Sequence, residues 1–90
     1  MTIEERFQKF HQSNPQVYRE ICLLAEQAMG AHRKRISMKM LFEVIRWNHM
    51  IRTDAKDFKL NNNYHSRYTR LIMQDNPELG RMFEIRELHA

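Results

Sequence analysis

Residues 33–70 read RKRISMKMLFEVIRWNHMIRTDAKDFKLNNNYHSRYTR, and this stretch decides the fold. It contains two segments with helical patterning, Ser37 to Met50 and Asn62 to Gln74, joined by a polar connection. The spacing i, i+4, i+7 and i+8, which marks one face of a helix, is met in the second segment by Tyr64, Tyr68, Leu71 and Ile72. The chain is therefore expected to be mainly α-helical, with a small winged-helix-like helix-turn-helix domain in which the second helix is the contact surface.

The helix predicted from Ser37 to Met50 has two neighbouring apolar stripes. Ser37 is the expected N-cap, and the first stripe is formed by Met38, Leu41, Phe42 and Ile45. The second stripe is formed by Met40, Val44, Trp47 and Ile51. Such a wide apolar surface indicates either a central helix packed on two sides or a helix that uses its second side for dimerisation. We favour packing on two sides.

Two further helices are predicted upstream. Thr2 and Glu5 have the spacing of a capping box, so a short extra N-terminal helix should begin there and stop near Ser13. Asn14 followed by Pro15 is a typical N-cap and first-turn pair. This second helix should run to about Met29, with Gly30 as its stop and with a buried side formed by Val17, Ile21, Leu24, Ala25 and Ala28.

The C-terminal part is predicted to contain one helical turn and one short strand. Asn76-Pro77 repeats the cap signal, and Gly80 ends the turn. Phe83 to Arg86 alternates with period two, which is typical of a half-buried strand. A lone strand is unstable, so it needs a partner, either at Arg35-Ile36 or at Phe58 to Leu60.

The charge distribution is strongly asymmetric. The chain of 90 residues has a formal net charge of +4. Residues 31–70 contain ten Lys and Arg against three Asp and Glu, whereas residues 1–30 and 71–90 are each slightly acidic. A middle third this basic indicates one face for an anionic partner.

Length and composition narrow the class of protein. Ninety residues suit a single domain, taken as 1–90. No apolar run has the roughly 18 residues that a membrane span needs, and the N-terminus is no signal peptide, so a cytoplasmic protein without membrane contact is expected.

Cys22, the only cysteine, is expected to be buried and inert. The five histidines are scattered, and two glycines cannot form a Gly-rich phosphate loop, so no enzyme, metal or cofactor is expected.

Double-stranded DNA is the leading predicted partner. Asn can pair with adenine edges and Arg with guanine, which makes a base-reading set of Asn61, Asn62, Asn63, His65, Arg67 and Arg70. Phosphate contacts are expected from Arg33, Lys34, Arg35, Lys39 and Lys59. The alternative is that the asparagines only cap a helix while the basic side chains lie on a solvated surface.

A protein partner is the competing hypothesis. Trp47 lies near the end of its helix and is the best candidate for an exposed aromatic anchor at a protein interface, although packing in the core is slightly favoured for it. In this hypothesis the protein inhibits a host nuclease or defence complex at a surface normally filled by nucleic acid. A homodimer is compatible with both hypotheses.

Three stretches resemble a family of small uncharacterised phage and prophage proteins. They are Lys39 to Trp47, the phrase Phe58-Lys59-Leu60-Asn61-Asn62-Asn63-Tyr64, and the ending from Pro77-Glu78-Leu79 through Phe83-Glu84-Ile85-Arg86-Glu87-Leu88. The resemblance covers nearly the whole chain and implies a setting in the cytoplasm of a bacterial host. It carries no functional residues, because that family has no established activity. The connection of about ten residues between the two central helices is longer than in a simple helix-turn-helix and fits a winged variant better.

Overall fold

The computed structural model describes residues 1–53 and 59–83, and it confirms that the protein is mainly α-helical. The helices are α1 (Ile3–Ser13), α2 (Pro15–Gly30), α3 (Met38–Arg52), α4 (His65–Asp75) and α5 (Pro77–Gly80). A single 3-10 turn, Asn62–Tyr64, leads into α4. No helix in these two ranges is both long and apolar enough to cross a bilayer.

Three of the predicted helix starts are confirmed by their hydrogen bonds. At α1, the hydroxyl oxygen of Thr2 accepts from the backbone N–H of Glu5, and the Glu5 carboxylate accepts from the N–H of Thr2. At α3, the hydroxyl oxygen of Ser37 accepts from the N–H of Met40. Asn76 caps α5 in the same way, through the N–H of Leu79. Each cap satisfies a donor that has no partner inside its helix.

Asn14 is the N-cap residue of α2 and the helix begins at Pro15, as predicted, but the Asn14 side chain makes no capping hydrogen bond. The side-chain amide of Asn14 turns back and donates to the carbonyl of Phe10 at 3.1 Å, as its backbone N–H also does at 2.8 Å. Only one residue separates the two helices, so the Asn14 side chain satisfies the end of α1, while its backbone carbonyl accepts from the N–H of Val17 in the first turn of α2. The helix ends at Gly30, as predicted. Gly30 is helical, and the left-handed conformation falls on His32, with φ of 60°.

The core is built from one face of each long helix. The first stripe of α3 is buried, as predicted, and so are Tyr64, Tyr68 and Ile72, whereas Leu71 is half-buried. Aromatic rings pack edge to face at the centre, with ring centroids of Phe7 and Tyr68 4.9 Å apart. The whole buried set is Phe7, Val17, Ile21, Ala25, Ile36, Met38, Leu41, Phe42, Ile45, Leu60, Tyr64, Tyr68, Ile72, Leu79, Met82 and Phe83.

The prediction that α3 is packed on two sides is wrong. Met40, Trp47 and Ile51 of its second stripe are 51%, 60% and 62% exposed. On one flank α3 meets α2, where the side-chain amide of Asn48 donates to the carboxylate of Glu20 at 2.9 Å. The other flank meets the 3-10 turn. The second stripe lies between these two contacts and faces solvent.

The expected C-terminal strand lies mainly outside the described residues. Phe83 forms an isolated parallel bridge with Ile36, whose N–H donates to the carbonyl of Met82 at 2.8 Å. Within 1–53 and 59–83 no strand is formed. The rest of the predicted strand, residues 84–86, and Phe58 are not among the described residues, whereas Leu60 is buried.

Cys22 is half-buried rather than buried, which corrects the prediction in part. Burial is the main cause that raises the pKa of its thiol above the ordinary value. The thiol is therefore protonated at neutral pH, in agreement with an inert cysteine.

Candidate nucleic-acid interface

The connector between α2 and α3 presents three basic side chains to solvent. Arg33, Lys34 and Arg35 are all exposed. The backbone around them is held at both ends, because the N–H of Arg33 donates to the carbonyl of Ala28 at 3.0 Å and Ile36 is buried and bonded to Met82. The connector is thus a fixed support for outward-facing positive charge.

Lys39 and Lys59 are two further exposed cations in the basic middle of the chain. Lys39 is exposed in the first turn of α3, and Lys59 is exposed beside the buried Leu60. The positive charges of Arg46 and Lys39 both act on His65, the first residue of α4, which places these cations near that helix end. These five exposed cations, the basic edge, are Arg33, Lys34, Arg35, Lys39 and Lys59.

Arg46 organises the segment before α4 and is a residue that the sequence reasoning left out of the site. Its guanidinium pairs with Glu43 at 2.6 Å and donates to the carbonyl of Leu60 and to the side-chain oxygen of Asn62. The sequence signals only the contact with Glu43, three residues away on the same helix. The other two contacts cross the connection between the helices, where no periodic pattern predicts them.

The three asparagines have mainly structural roles. The side-chain oxygen of Asn61 accepts from the N–H of Asn63 at 2.8 Å and so caps the 3-10 turn. Asn62 is held by Arg46. The carbonyl of Asn63 accepts from Arg67 at 3.4 Å, and its side chain remains exposed. Asn61 therefore has the capping role that the alternative hypothesis gave to the asparagines. Of the three, only Asn63 has a side chain that makes no hydrogen bond to the described part of the protein.

His65 is half-buried and packs its ring against the core. Its ring meets Phe42 edge to face, with centroids 4.2 Å apart, and its Nε2 atom is buried without a hydrogen-bond partner among the described residues. Burial first, and then the charges of Arg46 and Lys39, lower the pKa of His65. A neutral, half-buried ring has little access to a groove, so the contact of His65 with a base edge stays a prediction that this geometry does not favour.

Arg67 and Arg70 lie toward α1, away from the basic edge. The Nε atom of Arg67 donates to the Glu4 carboxylate at 2.9 Å, and only 20% of the Arg67 side chain is exposed. A hydrogen bond from Gln8, followed by the contacts with Arg67 and the charge of Arg70, lowers the pKa of Glu4. The expectation that Arg67 stands unpaired on the surface is wrong, whereas Arg70 is exposed. The predicted base-reading set is thus divided between two sides of α4.

The exposed stripe of α3 adjoins the basic edge. Trp47 is 60% exposed, so the slight preference for packing it in the core is wrong and its ring is available at the surface. Met50, on the flank of α3 that also carries Lys39, is 63% exposed. The site as a whole therefore combines a positive edge with an apolar face on the same helix.

No protein-family model, curated protein or solved structure matches this chain.

Proposed function

We propose that this protein binds double-stranded DNA through its basic edge, as a small helix-turn-helix protein of the winged type. The observation that carries the proposal is that Arg33, Lys34, Lys39 and Lys59 are exposed and form no ion pair within residues 1–53 and 59–83. Cations in that state are surrounded by solvent and can release the counterions of a phosphate backbone when they bind it.

In this proposal the basic edge and the beginning of α4 contact DNA, rather than the whole length of α4. Arg67 is paired with Glu4 and His65 is packed on Phe42, so the middle of α4 has few side chains to offer. Asn63 lies at the start of α4, with an exposed amide that could reach a base edge. The bridge between Ile36 and Phe83 supports a winged type, because a wing needs a paired backbone at its base.

A second candidate function is favoured by the exposure of Trp47. Tryptophan is enriched among the residues that dominate binding energy at protein interfaces, and 60% of it is uncovered here. The protein would then act as a phage-encoded inhibitor that occupies a host nuclease or defence complex. The phage or prophage setting is part of both proposals and comes from the resemblance described above.

The proposal is tested by fluorescence anisotropy with a labelled duplex of mixed sequence, comparing two variants of equal net charge. Lys34→Gln with Lys39→Gln should weaken binding at least tenfold, because two phosphate contacts are lost. Arg6→Gln with Lys9→Gln, two exposed cations on α1, is the matched control and should bind within about twofold of wild type. Equal losses in both variants, or no binding by the wild type at low salt, would contradict the proposal.

The two functions are separated by a pull-down from bacterial lysate with and without nuclease treatment. DNA binding predicts that all co-purifying material disappears after nuclease treatment. A protein partner that survives nuclease treatment and is lost in Trp47→Ala would support the inhibitor instead.

A further inference from the structure

Three large apolar side chains on the second stripe of α3 are more than half exposed. Met40, Trp47 and Ile51 lie on one face of α3, and the half-buried Val44 lies between them. Leu23 of α2 is 59% exposed, and it lies one turn from Glu20, the residue that joins α2 to α3. The exposed face is therefore wider than α3 alone.

We propose that this face is covered by a second copy of the chain, in a two-fold dimer in which α3 packs antiparallel against α3 of its partner. The spacing of the stripe supports a self-complementary contact. Its residues, Met40, Val44, Trp47 and Ile51, are separated by four, three and four positions. This order is the same when it is read in either direction along the helix.

A two-fold axis between residues 45 and 46 uses that symmetry. It sets Met40 opposite the partner's Ile51, and Val44 opposite the partner's Trp47. Each large side chain then meets an apolar one, and the same two contacts are repeated on the other side of the axis. In an isologous interface residue i contacts j and j contacts i, which is the arrangement that this spacing provides.

The size of the face agrees with the apolar centre of a dimer interface. A large side chain presents roughly 200 Å² when fully exposed, so Leu23, Met40, Trp47 and Ile51 leave on the order of 450 Å² uncovered. A stable interface buries about 800 Å² per partner, somewhat more than half of it apolar. Met50, which is 63% exposed on one flank, enlarges this apolar centre, and the polar residues around it would form the rest of the interface.

The same axis gives the dimer a single positive side. A two-fold rotation about an axis that lies in the interface plane, perpendicular to α3, exchanges the two protomers but does not exchange the two flanks of the helix. The flank with Lys39 and Arg46 therefore faces the same way in both protomers. Lys39 lies six to seven residues from the axis, so the two Lys39 residues are about 20 Å apart along the helix direction. The dimer itself does not depend on the proposed DNA binding.

The proposal is tested by sedimentation equilibrium of the full chain without DNA, at concentrations up to the order of 100 µM. The wild type should have twice the mass of the 11.1 kDa chain. Trp47→Glu should be a monomer with unchanged helix content by circular dichroism, because Trp47 does not contribute to the core. Met29→Glu, an exposed substitution on α2, is the control and should remain dimeric.

The register is tested by mixing two charge-swapped variants. Met40→Lys with Ile51→Lys, and Met40→Glu with Ile51→Glu, should each be monomeric, since like charges meet across the axis. An equimolar mixture should form a heterodimer in which Lys meets Glu at both contacts. A monomeric wild type, a dimeric Trp47→Glu, or a mixture that stays monomeric would overturn the proposal. If the wild type is a monomer, the exposed face of α3 would instead be a contact surface for a different protein.

Discussion

Arg67 of α4 and Glu4 of α1 form an ion pair with 2.9 Å between Nε and Oε2, although they are 63 residues apart in the sequence. The pair ties the first helix to the fourth, and it turns an arginine from the predicted contact face toward the rest of the protein. This pairing is the reason why we place the proposed contact surface for an anion at the basic edge rather than along α4.

The pair predicts a measurable pKa at Glu4. We expect an NMR titration to give a value below the ordinary 4.5, and Arg67→Gln to raise it. Part of the lowering should persist in that variant, because the hydrogen bond from Gln8 remains. A carboxyl whose pKa is lower in the folded than in the unfolded protein stabilises the fold at pH values above its unfolded pKa. This stabilisation is lost as the pH falls through the folded pKa. An unchanged Glu4 titration in Arg67→Gln would show that the pair does not form in solution.

His65 predicts a second pH dependence, in a higher range. Burial lowers its pKa, so the folded protein binds this proton less readily than the unfolded chain does. Stability should therefore fall as the pH decreases through the ordinary value of 6.5. The charged groups that face it from α3 are Lys39, Arg46 and Glu43. Urea unfolding at pH 7.5 and 5.5 should show the loss in the wild type and a smaller loss in His65→Gln, and equal losses would exclude His65 as the cause.

The two glycines predict opposite effects of the same substitution. A Cβ atom on Gly80 would lie 2.5 Å from the Cα of Met73, where α5 crosses α4, so Gly80→Ala should cost at least 1–3 kcal/mol, an order-of-magnitude figure for overpacking. Gly30 has no atom within 4 Å of that position and is helical. Gly30→Ala should therefore stabilise the protein by about 0.5–1 kcal/mol. Thermal unfolding measures both, and equal effects would contradict the close approach of α4 and α5.

The buried hydroxyl of Tyr68 makes no hydrogen bond to the described part of the chain. Burial is the main cause that raises its pKa, so the phenol stays neutral. Tyr68→Phe should leave stability unchanged or raise it by about 1 kcal/mol, because an unpaired polar group is removed. Tyr68→Ala should cost about 3–5 kcal/mol through the lost ring. The comparison is made by urea unfolding.

Tyr18 supplies the control for that substitution. Its hydroxyl donates to the Asp75 carboxylate at 2.7 Å. Tyr18→Phe removes a real hydrogen bond and should cost about 0.5–1 kcal/mol, since the contact is exposed. A larger loss for Tyr68→Phe than for Tyr18→Phe would mean that the Tyr68 hydroxyl has a partner in solution.

Local signals in the sequence predicted the helices well. A capping box, a Ser N-cap and two Asn-Pro pairs mark where helices begin, because each signal involves only residues within about three positions of the helix start. Asn14 shows the limit of such signals: the same side chain can serve the helix before it or the helix after it, and only the packing of α1 against α2 decides. The inward face of α4 was predictable for the same local reason, since Tyr64, Tyr68 and Ile72 repeat with the helical period.

The site was less predictable, because its outcome depends on contacts between distant segments. No pattern near Arg67 indicates that Glu4 will pair with it, and no pattern near Asn62 indicates that Arg46 will hold it. The second stripe of α3 has the same apolar composition as a buried stripe, so the sequence alone could not show whether it is exposed or buried. The sequence did identify the concentration of positive charge in residues 31–70, because that feature depends on composition alone.

The salt dependence of duplex binding is the measurement that tests the central claim most directly. Each phosphate neutralised contributes about −0.9 to the slope of log K against log salt concentration. Lys34→Gln with Lys39→Gln should make the slope less negative by about 2, whereas Arg67→Gln should leave it unchanged. A slope that is unaltered by the first pair and reduced by Arg67→Gln would return the contact surface to α4 and contradict the account.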